Sequence, residues 1–282
     1  MKIVVTGAKG NIGSVVVEYA RSQGAQVLGV DNVGRGDGLG SYIAADLTDL
    51  GSCYDVVYGA DAVINLAAIP DSMMFPNAQT FMTNIAITYN VFLAAAHLGV
   101  SRVVWASSIQ VNHTVPPRRP VRYRYFPLDE DHPVDPQSDY ALSKHVGEVI
   151  ADHFARDFGL TTVSLRFTDV VTVQRWPRLP EPIPPDERYP LPHYVHIHDC
   201  ARACYLAATA PLPAGSHTVA FIAARDTHVD LPSRELIARY YPDAELRADI
   251  QGYDALISGK RAEQAFGFTP RFSCRSGAPE GA

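Results

Sequence analysis

The apolar run Lys2-Ile3-Val4-Val5-Thr6 breaks into Gly7-Ala8-Lys9-Gly10-Asn11-Ile12-Gly13 and then into a helical pattern. A strand ending in such a turn makes a phosphate cradle: Gly7 permits the sharp bend, Gly10 lets backbone approach a pyrophosphate, and Gly13 lets the helix lie close on the strand. The next apolar run, Gln26-Val27-Leu28-Gly29-Val30, ends in Asp31, an acid placed to grip a ribose diol. Strand, glycine turn, helix, strand and acid in this order point to a dinucleotide site, where glycines alone would indicate only a turn.

The rest of the chain agrees with one enzyme-sized unit. With 24 basic and 30 acidic side chains the formal charge is −6, which gives no general attraction to nucleic acid or anionic lipid. No apolar run approaches the roughly 20 residues that span a bilayer, and a strand beginning at Lys2 leaves no room for a signal peptide, so a cytoplasmic protein is expected. Cys53, Cys200, Cys204 and Cys274 show neither metal-binding nor disulfide spacing and are expected to be reduced thiols.

Strand and helix signals alternate through the first two thirds: Tyr42–Ala44, Ala62–Ala68, a helix Asn84–Leu98, Ser101–Ser108, a helix Asp139–Phe158 and Thr161–Phe167. Thr48 or Asp49 can cap the helix between the strands at Tyr42 and Ala62. Strands apolar on both faces, separated by helices, predict an α/β fold: a Rossmann-type doubly wound parallel sheet with ligands beyond the strand C-termini and a small C-terminal substrate-binding lobe. The expected dinucleotide-binding domain covers 1–167 and is completed by 193–223. The substrate lobe takes 168–192 and 224–274, and 275–282 reads as a frayed tail. His193–Asp199 is read as a strand leading to a helix Cys200–Ala210, followed by a strand His217–Ala223 and a helix Ser233–Tyr240. The proline-rich segment Val111–Gln137, with Arg118, Arg119, Arg122 and Arg124, reads as a long loop whose arginines could meet a phosphate or carboxylate but also suit a solvated face.

Tyr140 and Lys144 stand four apart on one face of the Asp139 helix. A phenol with an ordinary pKa near 10 is a poor base at neutral pH, and a neighbouring ammonium would favour its phenolate. Ser108, ending its strand, supplies a hydroxyl that can hold a substrate oxygen. His193, His196 and His198 alternate along a strand, which invites a metal reading, but packing and capping explain them better. No metal is expected. Asp71, Met73 and Met74 follow the Ala67-Ala68 turn, where they would border the site's mouth, a placement that ordinary loop packing explains equally well.

These motifs together resemble the short-chain dehydrogenase/reductases, and within them the extended NAD-dependent epimerase/dehydratase branch, over Lys2 to about Arg271. Thr6 to Gly13 is similar to the branch's cofactor loop, Asp46-Leu47 to its adenine-side turn, and Asn65-Leu66-Ala67-Ala68 to the strand beside the nicotinamide ribose. Asn84 matches the structural asparagine, Trp105-Ala106-Ser107-Ser108 the active-site strand, Tyr140 to Lys144 the catalytic helix, and Tyr194 to Asp199 a late strand-to-helix motif.

The resemblance implies hydride transfer between carbon and nicotinamide, with Tyr140 as acid or base, Ser108 orienting the reacting group and Lys144 tuning Tyr140 and holding the ribose. Cofactor contacts would come from Gly7, Lys9, Gly10, Asn11, Ile12, Gly13, Asp31, Asn32, Arg35, Asp46, Leu47, Leu66, Ala67, Ala68, Asn84, Ala106 and Phe167, besides Tyr140 and Lys144. A carboxylate at Asp31 would repel a 2′-phosphate and favours NAD over NADP, while Arg35 could stack on adenine or meet a phosphate. Substrate contacts would come from Ile69, Ser108, Ile109, Gln110, Asp169, Arg175 and Arg178. Two departures narrow the chemistry. The acid pair that dehydratases carry after the active-site hydroxyl is replaced by Ile109-Gln110. The asparagine that nucleotide-sugar epimerases place beyond the Phe167 strand is replaced by Thr168-Asp169, whose carboxylate would repel a diphosphate. The resemblance thus implies a dehydrogenase of a free sugar or sugar acid, acting on a small hydroxylated substrate as a homodimer. A nucleotide-sugar epimerase that regenerates its NAD is the alternative, and a non-catalytic dinucleotide sensor a third reading.

Overall fold

A computed structural model describes residues 1–34, 41–70, 73–112, 117–176 and 191–276. The chain opens with β1 (Lys2–Thr6), α1 (Asn11–Ser22), β2 (Gln26–Asp31), β3 (Tyr42–Ala44), α2 (Leu50–Val57), β4 (Ala62–Asn65), α3 (Asn77–His97) and β5 (Arg102–Ser108). A 3₁₀ turn at Ile109–Val111 leads to β6 (Tyr125–Phe126), α4 (Asp139–Phe158), β7 (Thr161–Phe167), β8 (Val170–Val171), β9 (Val195–His196), α5 (Ile197–Thr209) and β10 (His217–Ile222). The chain continues through α6 (Ser233–Tyr240), β11 (Glu245–Leu246) and α7 (Lys260–Phe266).

Seven strands pair in the order β10-β7-β5-β4-β1-β2-β3, all in parallel. The chain direction across the sheet reverses between β1 and β4, where a doubly wound sheet leaves a crevice at its carboxyl edge. One face carries a core of Val16, Val17 and Ala20 from α1 against Cys200, Ala203, Cys204 and Ala207 from α5. The other packs Cys53 and Val57 of α2, Val91, Phe92 and Ala95 of α3, and Ala151 and Phe154 of α4 on Val4, Val63, Val103 and Trp105. Strands buried on both faces explain the continuous apolar runs of the sequence. A third cluster, Tyr123, Phe126, Leu128, Leu191, Phe221, Leu236, Ile237, Ile250, Leu256 and Ile257, sits at the carboxyl edge of β10. All four cysteines are free, and among the described residues no helix is long and apolar enough to cross a membrane.

The differences from the sequence reading have local causes. α3 begins at Asn77 instead of Asn84, with Pro76 before its first turn. Its opening residues are exposed and so carry no apolar periodicity. β4 stops at Asn65 instead of Ala68 because the Leu66 and Ala67 amides turn to the Thr6 hydroxyl, each at 3.1 Å. α5 begins at Ile197, with His196 as its N-cap. Asp199, expected at the cap, instead accepts from the backbone amides of Arg271 and Phe272. The proline-rich loop contains β6, which pairs with β11. Arg275, expected in a frayed tail, stacks 3.7 Å from the Tyr253 ring centroid and pairs with Asp230 at 3.1 Å. Residues 277–282 lie outside the described residues.

Candidate active site

A cleft of about 1170 Å³ runs along the carboxyl edge of the sheet. Its size exceeds the ~300–1,000 Å³ typical of a single small-ligand pocket. At one end lies the β1–α1 turn. Gly7 has φ +64°, and a Cβ there would fall 2.9 Å from the Leu66–Ala67 peptide. A Cβ on Gly13 would lie 2.0 Å from the Gly7 carbonyl, so helix and turn fit only without side chains. No side chain caps α1 and its first turn holds no acid. The positive end of its dipole therefore faces the cleft at Gly10–Gly13, as a pyrophosphate requires.

Next to the turn, the Asp31 carboxylate accepts from Lys9 N at 2.8 Å and Val33 N at 3.3 Å. Each of its oxygens keeps a lone pair for a ribose hydroxyl. Lys9, Asn32, Asp46, Leu47, Leu66, Ala67, Ala68, Ala106 and Phe167 all line the cleft. These residues fit a dinucleotide: a polar acid at the ribose end, an uncapped helix at the middle and apolar walls farther on. Arg35 lies outside the described residues. Asn84 does not line the cleft. Its side chain instead accepts from Ile69 N at 2.7 Å and donates to Ile69 O at 3.1 Å and to the Ser143 hydroxyl at 3.2 Å. It ties the β4–α3 connection to α4, acting on the site through those two elements.

Ser108, Tyr140 and Lys144 line the same cleft and are 8%, 8% and 4% exposed. Ser138 caps α4, accepting from Ala141 N at 3.0 Å, which fixes where the helix starts and so where Tyr140 stands. Lys144 Nζ donates to the Ala106 carbonyl at 2.7 Å and lies 5.6 Å from the Tyr140 ring centroid and 4.9 Å from that of Trp105. Burial pushes the Lys144 ammonium down to about 7. Gly147 lets this helix approach β5, since a Cβ there would meet Trp105 at 2.3 Å. The Ser108 hydroxyl accepts from Gln110 N at 3.1 Å, which orients it at the strand end. Beneath it, Ser107 donates to Glu148 at 2.6 Å, and Arg166 meets both Glu148 oxygens at 2.8 Å.

Of the expected substrate contacts, Ile69, Ser108, Ile109, Gln110 and Asp169 line the cleft, as does Met73. Arg175 does not: it forms an ion pair with Asp169 at 2.5 Å. Two residues read as separate substrate contacts thus form one partly exposed pair. Arg178 and Asp71 lie outside the described residues, and Met74 is not in the cleft wall. Arg118 pairs with Asp139 at the start of α4 and Arg119 with Asp135 within the loop itself, and neither arginine lines the cleft. His196 stacks on Phe272 with centroids 3.8 Å apart, consistent with packing. His193 and His228 line the substrate end of the cleft, and His228 carries no local sequence signal at all.

The profile of the NAD dependent epimerase/dehydratase family matches residues 3–181, well over half of the chain. The chain is 30% identical over 233 residues to L-arabinose 1-dehydrogenase (NAD(P)(+)) of Haloferax volcanii, covering 80% of this chain and 89% of that protein. It is 31% identical over 169 residues to uronate dehydrogenase of Pseudomonas putida, covering 58% of this chain and 59% of that protein. Among solved structures, MoeE5 in complex with UDP-glucose and NAD superposes with a TM-score of 0.71 at 26% identity, over 98% of this chain and 96% of that one. A short-chain dehydrogenase/reductase superfamily protein of Agrobacterium tumefaciens, solved with bound NAD, shares the fold with a TM-score of 0.74 at 24% identity over 98% and 94% of the two chains. The glycine turn, the acid at Asp31 and the Ser108, Tyr140 and Lys144 cluster are what such likeness should preserve: the chain belongs to the NAD-dependent epimerase/dehydratase family.

Proposed function

We propose that the protein oxidises a free sugar or sugar acid with net reduction of NAD. The reading rests on one observation above all: Ser108, Tyr140 and Lys144 share a cleft with the dinucleotide turn and are nearly shut off from solvent. Bound NAD supplies the hydride acceptor. The chain's own residues handle the proton. Ser108 holds the reacting hydroxyl, Tyr140 takes its proton as the hydride departs, and Lys144 stabilises the phenolate while donating to the ribose. Ala106, Leu66 and Phe167 give that end of the cleft apolar walls that keep water from the transfer. Asp31 grips the adenosine ribose, Asp46 and Leu47 border the adenine, and Asn84 positions the Ile69 turn and α4.

The similarity to an arabinose dehydrogenase over four fifths of the chain supports a small free substrate. Similarity to plant GDP-mannose 3,5-epimerases, 29% identical over 60% of the chain, supports the second reading, an epimerase in which NAD is regenerated. Asp169 would repel a nucleotide diphosphate only if unpaired, and its ion pair with Arg175 removes that argument against the second reading. We further infer that segments 168–176, 191–192 and 224–274 belong to the substrate lobe, the rest of the expected 168–192 segment lying outside the described residues, and that the enzyme is a cytoplasmic homodimer. Support for the dimer comes from α3 and α4, which expose Met82, Tyr89, Leu142 and Val149 at helical spacing on neighbouring surfaces.

Absorbance of reduced nicotinamide, followed with NAD and a panel of free aldoses, sugar acids and nucleotide sugars, tests the proposal. Stoichiometric reduction with a free sugar or sugar acid is expected. An altered stereocentre in a nucleotide sugar without net reduction would instead establish the epimerase.

A further inference from the structure

Arg275, the first residue of the segment expected to fray, folds back onto the body of the protein. The Ser273 hydroxyl accepts from Arg275 N at 3.1 Å and Ser276 N at 3.2 Å, and donates to the Asp226 carboxylate at 2.6 Å. This turn aims the Arg275 side chain at the loop that joins β10 to α6. There its guanidinium lies 3.7 Å from the Tyr253 ring centroid, pairs with Asp230 at 3.1 Å and donates to the Val229 carbonyl. The side chain is only 24% exposed, so these contacts, and not solvent, set its position. The neighbouring residue holds the same loop: the Cys274 thiol donates to the Thr227 carbonyl at 3.5 Å, and Cys274 N donates to the Tyr194 hydroxyl at 2.7 Å. Tyr194 in turn donates to Asp226 at 2.5 Å. Residues 227 and 229 are thereby gripped by residues 274 and 275. Between them stands His228, half-buried, edge-on to the Tyr194 ring at 5.9 Å and part of the substrate end of the cleft wall.

A loop outside the helices and the main sheet keeps its place through such fastenings, and a shift of about 1 Å in a group that positions substrate can cost up to about 10²-fold in rate. The planar guanidinium offers separate N–H groups to Asp230 and Val229 while its face covers Tyr253, three contacts that a lysine ammonium cannot make at once. We propose that Arg275 is a positioning residue for the substrate: it fixes the 227–230 loop so that the His228 ring stands in the cleft wall against the bound sugar, and it acts on the reaction through His228. The ligand's chemistry rests on the dehydrogenase reading above. The proposal gives segment 273–276 a part in the site although Arg275 itself does not line the cleft. A clamp that merely fastened this segment would cost the same activity when broken whether or not His228 was present, and that difference separates the two roles.

The test uses full-length enzyme with NAD on L-arabinose, D-galactose and D-galacturonate. Arg275→Leu, Arg275→Lys, His228→Ala and the two double variants are each followed on the sugar that wild type turns over best. NAD affinity, measured by fluorescence quenching, reports whether each variant has folded. Arg275→Leu should lower kcat/KM about tenfold, mostly through KM, with NAD affinity intact. In the His228→Ala background the same substitution should add less than about twofold, because the group it positions is gone. Arg275→Lys, which keeps the charge without the fork, should cost about threefold in wild type and nothing further in His228→Ala. Where Arg275→Leu fails to bind NAD, the Arg275→Lys pair decides alone. The proposal is overturned if the deciding Arg275 variant keeps the wild-type kcat/KM, or if its substitution costs as much in the His228→Ala background as in wild type. If wild type reduces NAD with none of these sugars, the dehydrogenase reading falls on its own, and hydrogen exchange judges the clamp. Exchange over 226–231 must then be faster in the deciding variant with the β1–α1 turn unchanged, and equal exchange overturns the proposal.

Discussion

Tyr140 and Lys144 share one face of α4, and the ammonium lies 5.6 Å from the phenol ring, close enough to favour phenolate. Tyr140→Phe is expected to keep NAD affinity and to lose about 10²–10⁴-fold in turnover, the usual worth of a positioned proton-transfer group. Stopped-flow measurement of reduced nicotinamide checks it; full activity in this variant would remove Tyr140 from the chemistry. Burial also makes Lys144 a pH-dependent element of stability. Its value in the folded chain, about 7, lies below the usual 10.5, so between those values the unfolded chain binds a proton that the folded one does not. Stability from this group rises with pH across that window, and the full cost of the buried ammonium is felt below about 7. Lys144→Met should therefore melt above wild type at about pH 6, with the gap closing towards about pH 10. A gap that widens with pH would contradict the assignment.

Among whole elements, the buried pair Glu148–Arg166 joins α4 to β7, and Ser107 joins both to β5 one residue before Ser108. Glu148→Leu leaves a guanidinium buried without its counter-charge and is expected to cost about 3–5 kcal/mol, read by urea denaturation. Adding Arg166→Met should recover most of that loss. A single variant within about 1 kcal/mol of wild type would show that water reaches Arg166. This network also marks the limit of sequence reading. The glycine turn, Ser108 and the Tyr140–Lys144 pair were legible because each is a local pattern with its own periodicity or strand end. The hold of Asn84 on Ser143 and the cleft position of His228 depend on segments distant in the chain, while the Asp169–Arg175 pair forms within an irregular segment that carries no periodic pattern. The boundaries of α3 and β4 were misread for a related reason. Exposed helical turns carry no apolar period, and β4 is cut short by a hydroxyl on β1.

For the whole molecule, the parallel sheet order places every strand end that matters along one edge, which is why a fold class legible from alternating runs also located the cleft. The same frame leaves α3 and α4 side by side with Tyr89 and Val149 exposed. Val149→Asp is expected to convert the proposed dimer to monomer by light scattering while leaving the fold intact; an unchanged mass would move the interface elsewhere or abolish it. The central claim, that hydride leaves a free sugar for NAD and stays there, is tested most directly with an aldose deuterated at its anomeric carbon. Mass spectrometry after a single turnover should find the deuterium in the released reduced nicotinamide and none returned to sugar. Aldose recovered with all of its deuterium, with NAD left oxidised, would contradict the account.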